Sequence, residues 1–566
     1  MEMSISPYPV ARTGALQRVD FDPVSRVVGA LAVHALADRD SGAVRESAAM
    51  ATLFRGYEAI LHGRDVRDAI FISSRACGVC GGAHATCSAL ACEMAFGVAP
   101  PSTAILARNL MSAIEYLCDL PTQLFVRAGP DYSEPTVRQM NPGLWQRAER
   151  TAAPGRAIHG FERISDIMTA LTRIHGSLYL EAMLMSRTAR EAYVLIGGKY
   201  PHPQTIVPGG VSSTIDTQDY NTMLLRIVKF LDYAKRAVAI WDDIVEFFFE
   251  AEPRYRELGL GARNFIGLGQ WDDPYTYDAT FENCAAWGER RWATPGVIVD
   301  GRLVTIALPE INARVEEFVD HSFYEQWKPD ALSSLGAGDN RLGANHPATK
   351  RTLPQPGERN PPTGRYSWST APRWDRHPME TGAYAHLWTT ALANKLPYRR
   401  FVDPTGHSLR LSMPQGKLPT TELEWHPPEL WGTFERTRAR AYAFAYSALI
   451  TYEQVLAGLD LKRTRPAGMS TPYKIPKDVR VGTGFWGSAR GYLSHHMTID
   501  GGVIGNYQIL GPSTWTVSPR DGAGKPGPLE QAVVATPVLE YGPTDGYTEI
   551  LRTIRSFDPC MGCAAH

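Results

Sequence analysis

Neither sign of charge is in excess in these 566 residues: 58 Lys and Arg stand against 59 Asp and Glu, a formal net charge of −1. That balance excludes nucleic acid or an anionic membrane as the dominant partner. Long apolar runs are missing too. The strongest, AYAFAYSALITY at 441–452, is too short to span a bilayer and reads as a buried helix. The opening MEMSISPYPVARTGALQRV has no apolar core of a secretory signal. No repeat, heptad run or low-complexity tract is visible. Cysteine is sparse, with eight residues at 77, 80, 87, 92, 118, 284, 560 and 563, too few for a disulfide scaffold. A reducing compartment follows, so the expected location is cytoplasmic, with membrane association only through partners. Export with a partner that bears the signal is the other route.

What is present is an ordinary globular composition, 44% hydrophobic and 21% charged, in a chain longer than one small core needs. Residues 18–50 alternate apolar and polar around DRDSG at 38–42, the pattern of a β-hairpin. Helical spacing is expected from 46 to about 63, then at about 102–128, 161–196, 216–254, 311–327, 379–396 and 429–460. Pro- and Gly-rich interludes separate them at 197–215, 328–378, 403–428 and 464–528, and NHPATKRTLPQPGERNPPTG at 345–364 reads as a surface excursion. The expected class is α+β, mainly α: a long-helix bundle core with small peripheral β-sheets. No interlude reads as a linker between separable domains, so one unit over 1–566 is expected. It would hold an N-terminal hairpin (about 18–50), a helical core (about 51–463) and a C-terminal region (about 464–566).

RACGVCGGAHATC at 75–87 and DPCMGCAAH at 558–566 each carry a Cys-x-x-Cys pair followed by a histidine. Four thiols suit a borderline or soft metal. Structural zinc on four cysteines is the reading that spacing alone favours. Three features oppose it. The first pair is embedded in glycine and alanine, which let other groups approach the sulfurs. The second pair is followed by His566, a further metal-capable side chain. The pairs lie about 480 residues apart, and closing so long a loop brings no local ordering. An iron–sulfur cluster on Cys77, Cys80, Cys87 and Cys92 would need C-x2-C-x6-C-x4-C, which matches neither common ferredoxin pattern. Thioredoxin-like chemistry lacks its βαβ setting. Cys87, Cys92, Cys118 and Cys284 read as small buried hydrophobes.

The segments RGYEAILHGRDVRDAIFISSRACGVCGGAHA and SFDPCMGCAAH resemble the two signatures of the [NiFe]-hydrogenase large subunit. GGKYPHPQTIVPGGV (197–211), RYSWSTAPRW (365–374), GSARGYLSHH (487–496) and YQILGPSTWTVSPRD (507–521) resemble family segments in family order. The wording of DPVSRVVGAL and ATLFRGYEAILHGRD is most similar to the actinobacterial-type uptake group.

The resemblance implies a nickel centre with Cys77 and Cys560 as terminal ligands. Cys80 and Cys563 would bridge to an iron carrying CO and two cyanides. The implied reaction is heterolytic oxidation of H2, a terminal thiolate such as Cys560 serving as base. His84 matches a histidine that hydrogen-bonds a bridging cysteine. Arg490, Asp119 and Asp558 match a polar canopy over the metals, although an Asp before Pro also serves as an ordinary helix cap. Ser513 or Thr514 would hydrogen-bond a cyanide. Glu58, His566 and the backbone carbonyl near Ile509 match a separate hard-cation site, usually Mg. The stop at His566 resembles the processed form of family precursors. Iron–sulfur clusters would sit only in an obligate small-subunit partner, giving a heterodimer or a dimer of heterodimers. Two alternatives stay open: a hydrogenase-related subunit without H2 chemistry, and an interaction protein built on a four-cysteine zinc site.

Departures from the family wording fall at three places. RVVGAL stands for RIEGHL, so Val28 holds the position of the glutamate taken as first proton relay. Ala489 replaces the proline before the canopy arginine, and Thr370 replaces a lysine. The proton exit is therefore expected to run elsewhere, with Glu58 through water, His84 and Thr514 as candidates beside Cys560.

Overall fold

The computed structural model describes residues 16–327, 342–464, 468–539 and 547–566. Two long helices, Thr217–Ala251 and Thr433–Thr464, pack along each other, and Ser102–Pro121 lies against the second. Thr217–Ala251 begins where the Asp216 and Asp219 side chains reciprocally accept each other's backbone N–H. It then buries Tyr220, Met223, Ile227, Phe230, Leu231 and Ala234, the stripe expected of a helix with one face in the core. Ser102–Pro121 is buried along almost its whole length and continues as a wider helical turn, Thr122–Ala128.

Strands Leu31–Asp38 and Ala43–Ala51 form the hairpin at the expected turn, and Leu16–Phe21 adds a third antiparallel strand. Their apolar face, with Leu31, Val33 and Ala35, shares a core with Ile550, Ile554, Phe557 and Met561 from the far end of the chain. The two cysteine segments are thereby drawn together. Val28 N–H donates to the Pro559 carbonyl at 3.1 Å, and Met561 N–H donates to the Val28 carbonyl at 2.7 Å. The segment at the family's glutamate position is thus a backbone splint for Cys560.

The helix Gly81–Phe96 is buried on nearly every side. It lies directly on strand Arg480–Ser488, with which Gly491–Asp500 and Val503–Leu510 complete a three-stranded sheet. The contact is close because Gly482 and Gly484 face the helix. A Cβ on Gly482 would come within 1.9 Å of the Ala91 carbonyl oxygen, and one on Gly484 within 1.9 Å of that of Cys87.

Three expected helices are corrected. Residues 46–63 continue as strand to Ala51, and helix is confined to Tyr57–Leu61. The stretch 161–196 is Ile164–Ala170 and Ser177–Gly197, broken where Gly176 folds so tightly that a Cβ would meet the Ala170 carbonyl oxygen at 2.2 Å. Within 311–327, Leu308–Ala313 is helical but Val315–Phe318 is a strand paired with Ala371–Trp374. There a short alternating run with a sheet partner prevails over helical spacing. The excursion at 345–364 runs across the surface apart from a buried turn near Pro347–Thr349.

Candidate metal centre

Cys77 and Cys80 lie in the turn between helix Asp68–Ser74 and helix Gly81–Phe96, while Cys560 is the N-cap of the short helix Met561–Ala564 and Cys563 lies within it. All four are buried, and their sulfurs lie within 4.8 Å of one another. Sγ–Sγ distances are 3.3 Å for Cys77–Cys560, 3.2 Å for Cys80–Cys563 and 3.3 Å for Cys560–Cys563. The Val79 and Cys80 N–H groups point at Cys77 Sγ, at 3.4 and 3.2 Å, as they would to a thiolate. The sulfurs of Cys563, Cys77 and Cys80 draw the Cys560 thiol well below its ordinary pKa. Cys80 and Cys563 are pushed well above by the same cluster. Four converging sulfur donors fit a thiophilic metal ion.

His84 Nε2 is 3.5 Å from Cys563 Sγ. Its Nδ1 is 3.1 Å from His495 Nε2, and His495 Nδ1 is 2.7 Å from the Tyr507 hydroxyl, which meets Ser88 Oγ at 2.8 Å. Burial pushes the pKa of His84 down to about 3 and that of His495 well below its ordinary value, so both rings are neutral. His84 is therefore a neutral ring held between the Cys563 sulfur and His495.

Above the sulfurs, the tight hairpin Ser488–Gly491 places Arg490 at its tip. The guanidinium donates to both Asp119 oxygens, at 2.5 and 3.2 Å, and to Asp558 Oδ1 at 3.1 Å, while Nε donates to the Asp558 carbonyl at 3.1 Å. Arg127 is 3.1 Å from Asp119 and 3.6 Å from Asp558. Burial raises the Asp119 pKa, but Arg490 and Arg127 outweigh it and hold the carboxyl below its usual range. At Asp558, burial prevails and the pKa is raised. Asp558 takes a left-handed φ of 53° and pairs with Arg490 instead of capping a helix. Ser513 Oγ accepts the Cys560 N–H at 2.9 Å, leaving its own proton to donate. Thr514 differs from expectation: its hydroxyl donates to the Cys563 carbonyl at 2.9 Å and is already used in fixing the second cysteine pair.

Glu58, His566 and Ile509 converge on the other side of that pair. Glu58 Oε1 accepts the Ile509 N–H at 2.8 Å and lies 3.1 Å from His566 Nε2, and Thr352 donates to Oε2. His566 Nε2 faces the carboxylate and its Nδ1 is buried without a partner among the described residues; the Glu58 carboxylate is the oxygen donor a hard cation would need here. Near it, Thr370 at the family's lysine position hydrogen-bonds the Glu317 carboxylate. A lysine from elsewhere reaches the same neighbourhood. Lys350 is fully buried, donates to the Glu317 carbonyl at 2.9 Å and lies 4.4 Å from the Trp327 ring centre. Burial lowers its pKa to about 7. Lys350 sits in the excursion read as surface, so no sequence signal points to it.

The proton-relay candidates do not gather at Cys560. His84 meets Cys563, Thr514 meets its carbonyl, and Glu58 belongs to the His566 cluster. The remaining cysteines include single buried thiols, Cys87 against the Gly484 carbonyl, Cys92 against that of Val66 and Cys118 against Ser186.

A family model described as nickel-dependent hydrogenase matches residues 55–139 and 168–566. The chain belongs to the nickel-dependent hydrogenase family. Among solved structures it resembles the actinobacterial-type NiFe-hydrogenase from Ralstonia eutropha H16, at 39% identity and a TM-score of 0.91, over 97% of this chain and 100% of that one. Among curated hydrogenases it is 30% identical to the uptake hydrogenase large subunit of Rhizobium leguminosarum bv. viciae, over 97% of this chain and 95% of that one. It is 29% identical to the quinone-reactive Ni/Fe-hydrogenase large chain of Wolinella succinogenes, over 97% and 96%. This chain is thus a hydrogenase large subunit with the mainly helical, small-sheet fold of that family.

Proposed function

We propose that this hydrogenase subunit catalyses uptake, oxidising H2 to protons and passing two electrons to an iron–sulfur small subunit in an obligate heterodimer. The observation that carries the reading is the convergence of four buried sulfurs, with a buried arginine close enough for its charge to act on Cys560 and Cys80. Cys77, Cys80, Cys560 and Cys563 would hold nickel, with Cys80 and Cys563 shared with an iron bearing CO and two cyanides. That centre, when bound, supplies the soft, redox-active site at which H2 is polarised and its electrons are taken up.

The protein's part is positioning and proton handling. The cluster favours the thiolate of Cys560, the terminal sulfur suited to act as base. His84, held in place by His495, packs its ring against the Cys563 sulfur and orients it. Arg490, fixed by Asp119 and Asp558, presents a rigid cation over the sulfurs, and Ser513 keeps a hydroxyl proton for a diatomic ligand on the iron. Glu58, His566 and the backbone carbonyl near Ile509 would hold Mg, and the Ile509 N–H and His566 contacts of Glu58 tie the second cysteine pair to helix Tyr57–Leu61. Among the described residues, no helix is long and apolar enough to cross a membrane. Leu53, Ile60 and Phe71 are exposed on the segment that leads to Cys77, which suits a partner docking close to the site. We place the complex in the cytoplasm, with any membrane contact made by partners, and a dimer of heterodimers as its assembly.

The test is metal analysis of the purified heterodimer with infrared spectroscopy and H2-dependent dye reduction. About one nickel per chain, as four soft ligands imply, with CO and cyanide bands and dye reduction is the expected outcome. Stoichiometric zinc without nickel overturns the reading.

A further inference from the structure

Gly81 and Gly82 follow Cys80 directly, and neither has room for a side chain. A Cβ on Gly81 would lie 2.3 Å from His202 Nδ1. A Cβ on Gly82 would lie 2.3 Å from the Tyr193 hydroxyl oxygen and 2.6 Å from Glu115 Oε1. Three titratable side chains from three other elements therefore crowd onto the first turn of the cysteine helix. Glu115 projects from Ser102–Pro121 one turn before Asp119 and is 4% exposed. Its Oε1 accepts the Gly82 N–H at 2.9 Å, the Ala83 N–H also donates to the carboxyl, and no arginine or lysine among the described residues pairs with it. Tyr193 is fully buried, and its hydroxyl has no hydrogen-bond partner among the described residues. His202 is partly exposed, its Nδ1 3.2 Å from Ser74 Oγ. Asp119, Arg490, Tyr116 and Tyr200 complete the surroundings of Glu115.

A buried carboxylate without a cation is costly, whereas a neutral carboxyl that accepts from the Gly82 and Ala83 N–H groups and keeps a proton to exchange is not. Burial accordingly pushes the Glu115 pKa well above its ordinary value. An unpartnered hydroxyl beside such a group costs stability unless it serves something.

We propose that Glu115 is the proton-handling group beside the four-cysteine site, with Tyr193 and His202 carrying protons onward to solvent. This rests on the reading of the site as one that releases protons. A proton leaving the sulfur cluster across one bridging water bonds to a Glu115 carboxyl oxygen. The carboxyl gives up its other proton through water to the Tyr193 oxygen, whose original O–H proton passes through a further water to a His202 ring nitrogen, and His202 releases it to solvent from that nitrogen. Each bond to hydrogen formed is matched by one broken, and the three groups end as they began. Val28 can supply none of this; its backbone only fixes Cys560.

The experiment uses the heterodimeric holoenzyme and its Glu115→Gln and Tyr193→Phe variants. The amide introduced by Glu115→Gln keeps an acceptor for the Gly82 N–H at nearly the same volume but cannot relay a proton. Nickel per chain and the infrared bands of the diatomic ligands should match the wild type in both variants. H2/D2O exchange should fall roughly 100-fold or more in Glu115→Gln, the scale of a positioned proton-transfer group, and less in Tyr193→Phe. A redox-linked carboxyl C=O band that shifts in D2O should be present in the wild type and lost in Glu115→Gln. Wild-type exchange in metal-replete Glu115→Gln overturns the proposal and leaves the proposed function standing. Should Glu115→Gln lose metal, Tyr193→Phe decides: reduced exchange with full nickel supports the relay, and unchanged exchange overturns it. A wild-type protein without nickel would instead fail the underlying reading.

Discussion

Removing the Asp119 carboxylate tests the arginine canopy most directly. Asp119 is 4% exposed and Arg490 is 3% exposed, so neither charge is solvated. Asp119→Ala deletes two hydrogen bonds from Arg490 and one from Arg127, leaving two guanidinium groups over the single carboxylate of Asp558. Breaking a buried ion pair by removing one partner costs about 3–5 kcal/mol, because the survivor stays desolvated. Asp558 Oδ2 has no partner and can absorb part of the loss, which points to the lower end, about 3 kcal/mol. Appearing wholly in unfolding, that is a rate increase of roughly 100-fold. Proteolysis of the heterodimer in mild denaturant reads the rate. The pH dependence has a definite sign. The folded carboxyl is held below its usual range, so its contribution is fully present above the unfolded value of about 3.9 and is lost as pH falls through the lower folded value. The gap between wild type and Asp119→Ala should therefore persist down to about pH 4 and close only below it. An Asp119→Ala protein that unfolds at the wild-type rate at pH 7, with unshifted cyanide bands, would refute the canopy as a buried electrostatic unit.

Replacing His566 with Ala should lower nickel retained per chain, since the Glu58–His566 contact anchors the segment bearing Cys560 and Cys563; full nickel and full activity would remove the hard-cation site from the account. Lys350 has a folded pKa of about 7, lowered by burial, so the unfolded state binds the extra proton between that value and about 10.4. Wild-type stability should rise with pH across that window, and Lys350→Met should flatten the rise in a pH series of unfolding rates.

The cysteine pairs and the family wording around them are enough to bring Cys77, Cys80, Cys560, Cys563, His84, Arg490 and Asp119 together on paper. Each stands in a short stretch whose spacing has chemical meaning. The N-terminal hairpin and most of the long helices are legible from periodicity. What is not legible depends on contacts between distant segments. Glu115 reads as any helix glutamate until Gly82 is seen against it. Lys350 reads as a solvated charge until residues 347–350 turn inward beneath Trp327. Thr514 matches a ligand-binding position by wording alone, yet a carbonyl that no spacing rule locates takes its proton. The strand Val315–Phe318 escapes a local reading because its partner lies more than fifty residues away, beyond any local pattern.

The separation of Cys77 from Cys560 by 483 positions sets a clock on biosynthesis. At about 5–20 residues per second, roughly 25–100 s elapse between synthesis of the first thiol and its partner. Throughout that interval the early pair is an incomplete chelate, free to take up zinc or to oxidise. The segment that splints Cys560 is also made early and waits with the first pair, so a receptacle for the last segment exists before that segment does. Metal delivery to this protein is therefore bound to a late event on the ribosome or after it, and guarding two lone thiols until then is a task the cell must assign elsewhere.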